Sequence, residues 1–163
     1  MRKWREARSA HAEVLSGLER AIAAQRRNPA TVSALLFADL DDFKRINDEN
    51  GHRAGDAVLQ GVAERATRAV RGVDSVGRWG GDEMIVVLED AGRDKIPELV
   101  ERVRRAIETP IDYAGLSLRV GVSVGVAIVP DDGDGVQDLI RRADRRMYDD
   151  KQKRREARPR NGV

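Results

Sequence analysis

Gly80-Gly81-Asp82-Glu83 is the run of residues in this chain whose types and spacing best suit chemistry. An apolar, partly β-branched stretch follows at residues 84–88, and residues 75–79 can pair with it, so the pattern predicts a β-hairpin. Paired glycines tolerate the positive φ of a tight turn and leave room for a large ligand. Two carboxylates at such a tip suit Mg²⁺, which bridges to phosphate. An ordinary hairpin with polar turn residues is the alternative interpretation.

A second acidic group follows the apolar run at residues 31–37, which predicts a central strand covered on both faces. The run leads into Asp39, Leu40, Asp41 and Asp42. Asp39 is almost within the strand, where a carboxylate is costly unless it is paired, hydrated or metal-bound. We therefore predict a metal-binding role for Asp39. Asp42 is expected only to start the next helix, where acids favour the positive end of the helix dipole.

The elements that must position these carboxylates follow from hydrophobic periodicity. The pattern predicts one long alternating strand at residues 119–129, with small residues on one face that allow a helix to pack closely. Helical spacing is found at residues 1–27, 43–48 (a short turn), 54–71, 94–108 and 136–155, with a loop at 49–52. This order of elements predicts an α/β (α+β) fold with one central sheet.

Composition excludes several classes of function. The chain has no cysteine, which rules out thiol nucleophiles, cysteine zinc sites and disulfides and fits a reducing compartment such as the cytoplasm. It has no apolar run of transmembrane length, and its charged start is unlike a signal peptide. Basic residues gather at both ends although the net charge is only +2, but aromatic residues make up only 4%, so we expect no nucleic-acid binding.

Several motifs in order resemble the GGDEF family of diguanylate cyclases. They lie at residues 37–48, 51–59, 78–84, 125–127 and 142–151, so the resemblance covers about residues 35–151. It implies a palm-like nucleotide cyclase or polymerase architecture, with a mostly antiparallel sheet and an active-site β-hairpin. It also implies condensation of two GTP molecules into cyclic di-GMP and pyrophosphate. The family works as a homodimer with Mg²⁺ or Mn²⁺, each domain presenting one GTP.

The resemblance assigns roles to individual residues. Metal ligands would be Asp39, the Leu40 carbonyl, Asp82 and Glu83, with Asp82 as the proton acceptor. Asn47 and Asp56 would read guanine, and Asp56 would favour GTP because adenine has no N1–H to donate. The implied catalytic set is Asp82, Glu83, Lys44 and Arg78, and the implied substrate contacts are Phe43, Lys44, Asn47, Asp56, Gly80, Gly81, Lys151 and Arg155.

Arg71 and Asp74 match the family's Arg-x-x-Asp motif for product inhibition, five residues before the paired glycines. The alternative is a salt bridge between residues three apart. We predict three parts of the chain. Residues 1–30 form a helix that links to a sensory domain outside this sequence, residues 31–155 form the catalytic domain, and residues 156–163 form a basic tail.

The chain departs from the family pattern in three places. Met84 replaces the usual Phe, and we expect only a small packing change because Met fills irregular space. The family's N-terminal motif is reduced to a partial match at residues 15–18, and Arg154-Arg155-Glu156 replaces the closing Gly-Arg-Asn. These departures leave open a second hypothesis, a catalytically idle domain that binds GTP or cyclic di-GMP.

Overall fold

The computed structural model describes the backbone of residues 2–158 and the side chains of residues 10–158. Five α-helices are described: α1 Arg2–Arg27, α2 Phe43–Asn50, α3 His52–Ala69, α4 Ile96–Glu108 and α5 Val136–Ala157. A short 3₁₀ turn, Arg93–Lys95, precedes α4. The strands are β1 Ser33–Asp41, β2 Ser75–Gly80, β3 Glu83–Leu88, β4 Ile111–Tyr113, β5 Leu116–Leu118 and β6 Gly121–Val129. Most of the predicted basic tail, residues 159–163, lies outside the described residues.

Four strands form one antiparallel sheet in the order β2-β3-β1-β6, and β4 and β5 form a separate hairpin. All nine residues of β1 are buried, as expected for an apolar strand covered on both faces. The predicted α/β (α+β) fold, a mostly antiparallel sheet flanked by helices, is confirmed. Among the helices described, none is long and apolar enough to cross a membrane.

Side chains of β1 alternate between two apolar layers. Leu36, Ala38 and Leu40 pack in one layer with residues of α3 and α4. Leu35 and Phe37 pack in the other layer with residues of α1 and α5. By the same alternation Asp39 and Asp41 face α5, so the end of β1 delivers two carboxylates to the surface of this helix.

Strand β6 forms one edge of the sheet, and α5 packs closely on it. A Cβ added at Gly125 would lie only 1.9 Å from the Ala143 carbonyl oxygen, so the predicted close helix packing is observed. Charged side chains cover the outer backbone groups of this edge, which blocks pairing with another strand. Arginines donate to two carbonyl oxygens of the edge, Arg104 to that of Val122 and Arg146 to that of Val126. Carboxylates accept from three backbone N–H groups of the edge: Glu108 from Val122, Asp150 from Val124 and Asp132 from Ile128.

The β4–β5 hairpin was not predicted from the sequence. Its two-residue turn, Ala114-Gly115, has positive φ at both positions (48° and 78°), as a type I′ turn requires. The predicted loop at residues 49–52 is also shorter in the structure, because α2 continues to Asn50 and α3 begins at His52. Gly51, at φ 86°, alone separates the two helices.

Candidate active site

The predicted hairpin is present, and its tip is attached to the central strand. Strands β2 and β3 flank Gly81-Asp82, and a bulge between Arg78 and Gly80 lets Trp79 stack on His11 of α1 with ring centroids 3.9 Å apart. The Leu40 backbone N–H donates to the Asp82 carbonyl oxygen at 3.1 Å. This bond fixes the tip of the hairpin against the acidic end of β1.

The prediction that the paired glycines, Gly80 and Gly81, supply the positive φ of a tight turn is wrong. Neither Gly80 nor Gly81 has positive φ; the glycines that do are Gly51, Gly92, Gly115 and Gly133. The expectation of free space is met, since a Cβ at Gly81 would meet no atom within 4 Å. A Cβ at Gly80 would meet only Glu83 Oε2, at 3.6 Å. The glycines therefore keep the tip open rather than supply an unusual backbone conformation.

Asp39 and Glu83 are direct cross-strand neighbours, so their side chains lie on the same face of the sheet. Asp39 is buried, and its Oδ2 accepts a hydrogen bond from Lys151 Nζ at 2.8 Å. Its Oδ1 is also buried, and no group among the described residues donates a hydrogen bond to it. A buried carboxylate oxygen without a donor is unusual, and it marks Asp39 as prepared for a partner that the protein does not itself supply.

The pKa values of Asp39 and Glu83 are both raised by burial and by nearby carboxylates. Burial raises the pKa of Asp39 above its ordinary value, Lys151 opposes this, and the charges of Asp82 and Asp41 raise it further. Burial likewise raises the pKa of Glu83, and the carboxylates of Asp39, Asp144 and Asp82 add to the rise. Burial and the neighbouring negative charges therefore make Asp39 and Glu83 harder to ionise, a situation that a cation would relieve.

The carboxylate oxygens of Asp39, Glu83 and Asp82 are suited to bind a hard divalent cation that a substrate also binds. Within residues 10–158 no three or more Asp, Glu or His side chains are gathered into a complete metal site. Mg²⁺, however, is usually bound by one or two carboxylates together with substrate phosphates and water. Asp39 with its partnerless oxygen and Glu83 opposite it supply that minimum, and Asp82 lies next to Glu83 at the tip.

The predicted substrate residues of α2 and α3 lie on two consecutive helices. Phe43 and Lys44 begin α2 after Asp42, which has a left-handed conformation (φ 55°) and no side-chain capping bond. Asp42 therefore starts the helix as expected, although without capping it. Lys44 projects into solvent, with 90% of its side chain exposed, and pairs with Asp48 at 3.8 Å. The structure does not bring Lys44 into contact with Asp39 or Glu83.

Asn47 lies against the start of α3. A Cβ at Gly55 would lie 1.8 Å from Asn47 Oδ1, so only glycine leaves space for this amide. Asp56, the next residue, is exposed and lines an open groove of about 500 Å³ together with Arg78 and Met84. Met84 is itself buried, as expected for a packing substitution. Helix α3 thus places Asp56 beside β2 and β3, whereas Asn47, on α2, packs against Gly55 of α3.

Helix α5 contributes the basic side of the site. Lys151 reaches Asp39, as described above, whereas Arg155 is exposed and lines a narrow cleft beside Asp41 and Asp42. On the hairpin, Arg78 donates from Nε to the Gly81 carbonyl oxygen at 2.9 Å. Arg78 thus supports the backbone of the tip and also borders the groove of Asp56.

Arg71 and Asp74 form the local salt bridge that was the alternative interpretation of their motif. Arg71 Nη2 lies 2.8 Å from Asp74 Oδ1 and also donates to the Glu89 carbonyl oxygen at 2.5 Å. Asp74 is fully engaged, because it also accepts from the backbone N–H groups of Arg71 and Glu89. About two fifths of the Arg71 side chain (42%) remains exposed. The pair supports the loop, and the arginine alone remains accessible.

Sequence reasoning gave no role to the residues that hold the C-terminal part of α5. Asp41 accepts from Ser123 Oγ at 2.6 Å and from Arg154 Nε at 3.2 Å. Arg154 also donates to Glu108 at 2.6 Å. One signal was available: Arg154 stands where the family pattern has glycine.

Comparison with known proteins places this chain in a family. The family model described as "Diguanylate cyclase, GGDEF domain" matches residues 10–157. The chain belongs to the GGDEF family. Diguanylate cyclase A of Treponema denticola is 37% identical to it over 120 residues, which cover 73% of this chain and 32% of that protein. The cyclic di-GMP phosphodiesterase NbdA of Pseudomonas aeruginosa is 36% identical over 118 residues, covering 72% and 15%.

A solved structure confirms the fold of this GGDEF domain. The GGDEF domain of PA1120 (YfiN or TpbB) from Pseudomonas aeruginosa superposes with a TM-score of 0.80 at 32% identity, covering 85% of this chain and 87% of that one. The chain spans only a third or less of the two curated relatives described above. The similarity therefore concerns the domain and not those whole proteins.

Proposed function

We propose that this GGDEF domain is a diguanylate cyclase that converts two GTP molecules into cyclic di-GMP and two pyrophosphates. The observation that carries the proposal is the buried Asp39 oxygen without a donor, on the same face as Glu83 and beside Lys151. Such a desolvated acidic pair next to a flexible cation is suited to a metal–triphosphate ligand.

Asp39, Asp82, Glu83 and the Leu40 carbonyl oxygen would hold Mg²⁺ or Mn²⁺. When bound, the ion would neutralise phosphate charge and lower the pKa of the attacking 3′-hydroxyl. Asp82, at the open tip, would accept the proton of that hydroxyl. The 3′-oxygen of each GTP forms a bond to the α-phosphorus of the other GTP, and the bond from each α-phosphorus to its pyrophosphate leaving group breaks.

The phosphates would be bound by groups from two helices. Phe43 and Lys44 open α2, where backbone N–H groups have no intrahelical partner and the helix dipole favours anions. Lys44, whose side chain is 90% exposed, has the freedom to turn toward a phosphate. Lys151 and Arg155 approach from α5 and would stabilise the charge of the leaving pyrophosphate.

Guanine would lie in the groove between α3 and the hairpin. The Asn47 amide and the Asp56 carboxylate would bind the base edge, and Gly80 and Gly81 would let the nucleotide approach the backbone. A carboxylate accepts from guanine N1–H and N2–H, groups that adenine does not present in this arrangement. The groove therefore supports selection of GTP over ATP.

Two copies of the domain are needed in this proposal, because each site holds one GTP and the product joins two. We accordingly propose a catalytic homodimer. The curated relatives are much longer than this chain, which agrees with a sensory domain in the same protein that controls how two GGDEF domains meet. We propose no ligand for the basic residues at the two ends of the chain.

The proposed chemistry is tested by incubating the full chain with GTP and Mg²⁺ at high protein concentration and separating the nucleotides by chromatography. We expect cyclic di-GMP and pyrophosphate from the natural sequence and none from Asp82→Ala. Asp149→Ala, which removes an exposed acid of α5, should behave like the natural sequence. Added ATP should not enter the product unless Asp56 is replaced by serine. Synthesis by Asp82→Ala would contradict the proposal.

We also propose that Arg71 binds cyclic di-GMP and so mediates product inhibition. Asp74 holds the Arg71 guanidinium at Nε and Nη2, and the exposed part of this group can donate from its remaining N–H groups to a phosphate or to guanine. Arg71→Ala should lose inhibition by added cyclic di-GMP and keep its initial rate, whereas Arg68→Ala, on the exposed side of α3, should remain inhibited. Undiminished inhibition of Arg71→Ala would refute this role.

A receptor without catalysis is the second candidate. The relative NbdA carries a region similar to this chain and is named a phosphodiesterase, so a GGDEF-like sequence also occurs in proteins named for the opposite activity. In that case the chromatography would show no product although GTP or cyclic di-GMP still bound.

A further inference from the structure

Two basic residues of α5 and two acids of β1 form a ladder beside the active site. Lys151 Nζ lies 2.8 Å from Asp39 Oδ2, and Arg154 Nε lies 3.2 Å from Asp41 Oδ2. The acids are two residues apart on one strand face, and the cations are three residues apart on one helix face. The helix is thus joined to the end of β1 by two consecutive ion pairs.

The Arg154 pair is part of a fixed network. Both oxygens of Asp41 are satisfied, since Ser123 Oγ donates to Oδ1 at 2.6 Å. Arg154 also binds Glu108, which in turn accepts from the Val122 backbone N–H at 3.3 Å. Only a third of the Arg154 side chain is exposed. A guanidinium held by two carboxylates has little freedom to move.

The Lys151 pair is different in each of these respects. Asp39 receives a single hydrogen bond from a described side chain, and its second oxygen has none. Within the described residues, Asp39 is the only recorded partner of the Lys151 ammonium. A lysine ammonium on a four-carbon stem can be redirected at small cost, unlike a planar guanidinium held on two sides.

We propose that Lys151 is an exchangeable counter-ion that competes with a divalent cation for Asp39, while the Asp41–Arg154–Glu108 bridge keeps α5 within reach. This inference rests on the metal site of the proposed function. Binding of the cation would displace the ammonium, which then becomes available to a phosphate of the nucleotide. After the nucleotide leaves, the fixed bridge returns Lys151 to Asp39.

Competition of Lys151 for Asp39 would affect the affinity for a divalent cation even when no nucleotide is bound. A lysine that only binds phosphate would leave Asp39 unoccupied, so its removal would change the affinity for a cation alone only through a weak charge repulsion. A lysine that competes for Asp39 weakens that affinity, yet strengthens binding of the nucleotide complex. Removing Lys151 should therefore change the two affinities in opposite directions.

The test uses Mn²⁺ as the probe, with free Mn²⁺ counted by electron paramagnetic resonance on the full chain without nucleotide. Lys151→Met should bind Mn²⁺ more tightly than the natural sequence, on the order of fivefold for a partly buried ion pair. Lys153→Met removes an exposed lysine of the same helix and should leave the affinity unchanged. With 3′-deoxy-GTP, which cannot react, Lys151→Met should bind the Mn²⁺–nucleotide complex more weakly.

Arg154→Met provides a second measurement if Lys151→Met does not fold. It should change both affinities in the same directions by a smaller factor, and Arg154→Lys should recover part of the difference. Unchanged or weaker Mn²⁺ binding by Lys151→Met, or by Arg154→Met where only that variant folds, would overturn the exchange. Asp39→Asn separates this failure from that of the proposed metal site, which would be wrong if the Asp39→Asn variant bound the Mn²⁺–nucleotide complex as well as the natural sequence does.

Discussion

Asp39 and Asp41 lie two residues apart on the same face of β1, both are buried, and both pair with a cation of α5. Their surroundings nevertheless differ. Asp41 accepts from a serine and an arginine, so each oxygen has a donor. Among the described residues, Asp39 accepts a hydrogen bond from Lys151 alone, and its second oxygen has no donor. The fold therefore supplies a donor for both carboxylate oxygens of Asp41 and for only one described oxygen of Asp39.

This difference separates a structural acid from a functional one. A buried polar atom without a donor is costly, and native proteins usually retain one where a ligand or reaction needs it. Asp41 stabilises the contact between β1 and α5. Asp39 lies beside Glu83 at the end of β1, where the hairpin tip is attached, and its second oxygen is available to a ligand.

The largest effect on stability is expected at Asp41. Asp41→Asn removes the negative charge and leaves Arg154 facing a neutral amide, so we expect the free energy of unfolding to fall by about 1–3 kcal/mol. Urea denaturation followed by circular dichroism measures this. A loss within experimental error would mean that the network around Asp41 does not stabilise the fold.

A smaller effect on stability is expected at Asp39. Asp39→Asn removes a desolvated charge, and Lys151 can turn to solvent, so unfolding free energy should change by less than about 1 kcal/mol in either direction. The same urea series compares the two variants directly. A loss as large as that of Asp41→Asn would show that Asp39 is structural too, and the contrast between the two acids would disappear.

The smallest effect is a pH dependence that Asp39 should produce. Because burial raises the pKa of Asp39 from its ordinary 3.8, the folded state binds this proton more strongly than the unfolded state. Stability should therefore decrease as pH rises from about 3.8 toward the raised pKa. The natural sequence should lose stability relative to Asp39→Asn over this interval, measured by urea denaturation with a chelator. A difference that grows in favour of the natural sequence would have the wrong sign.

Most of the fold could be predicted because its elements carry strong patterns. The apolar run of β1, the alternation of β6 and the helical spacing of α3, α4 and α5 each depend on burial within the chain itself. The β4–β5 hairpin could not be found in this way. Its strands have three residues each, too short to show a period, and its turn uses alanine at one of two positive-φ positions.

The candidate site was only partly accessible to sequence reasoning. Asp39 was singled out because a carboxylate almost inside an apolar strand needs a partner, and the structure places it in β1 beside Glu83. The sequence marked Arg154 only as a departure from the family pattern and did not predict its partners, because its contacts with Asp41 and Glu108 join residues far apart in the chain. Only the packing of α5 on the sheet brings them together.

The rate of cyclic di-GMP formation in Asp39→Asn and Asp41→Asn tests the distinction between the two acids most directly. It should be measured with GTP and Mg²⁺ at a temperature where both variants are folded. We expect Asp39→Asn to lose at least a hundredfold in rate, on the order of removing one electrostatic contact to a transition state. Asp41→Asn should remain within about tenfold of the natural sequence, since it acts through the position of α5. Equal losses in the two variants, or turnover by Asp39→Asn at the natural rate, would contradict the distinction.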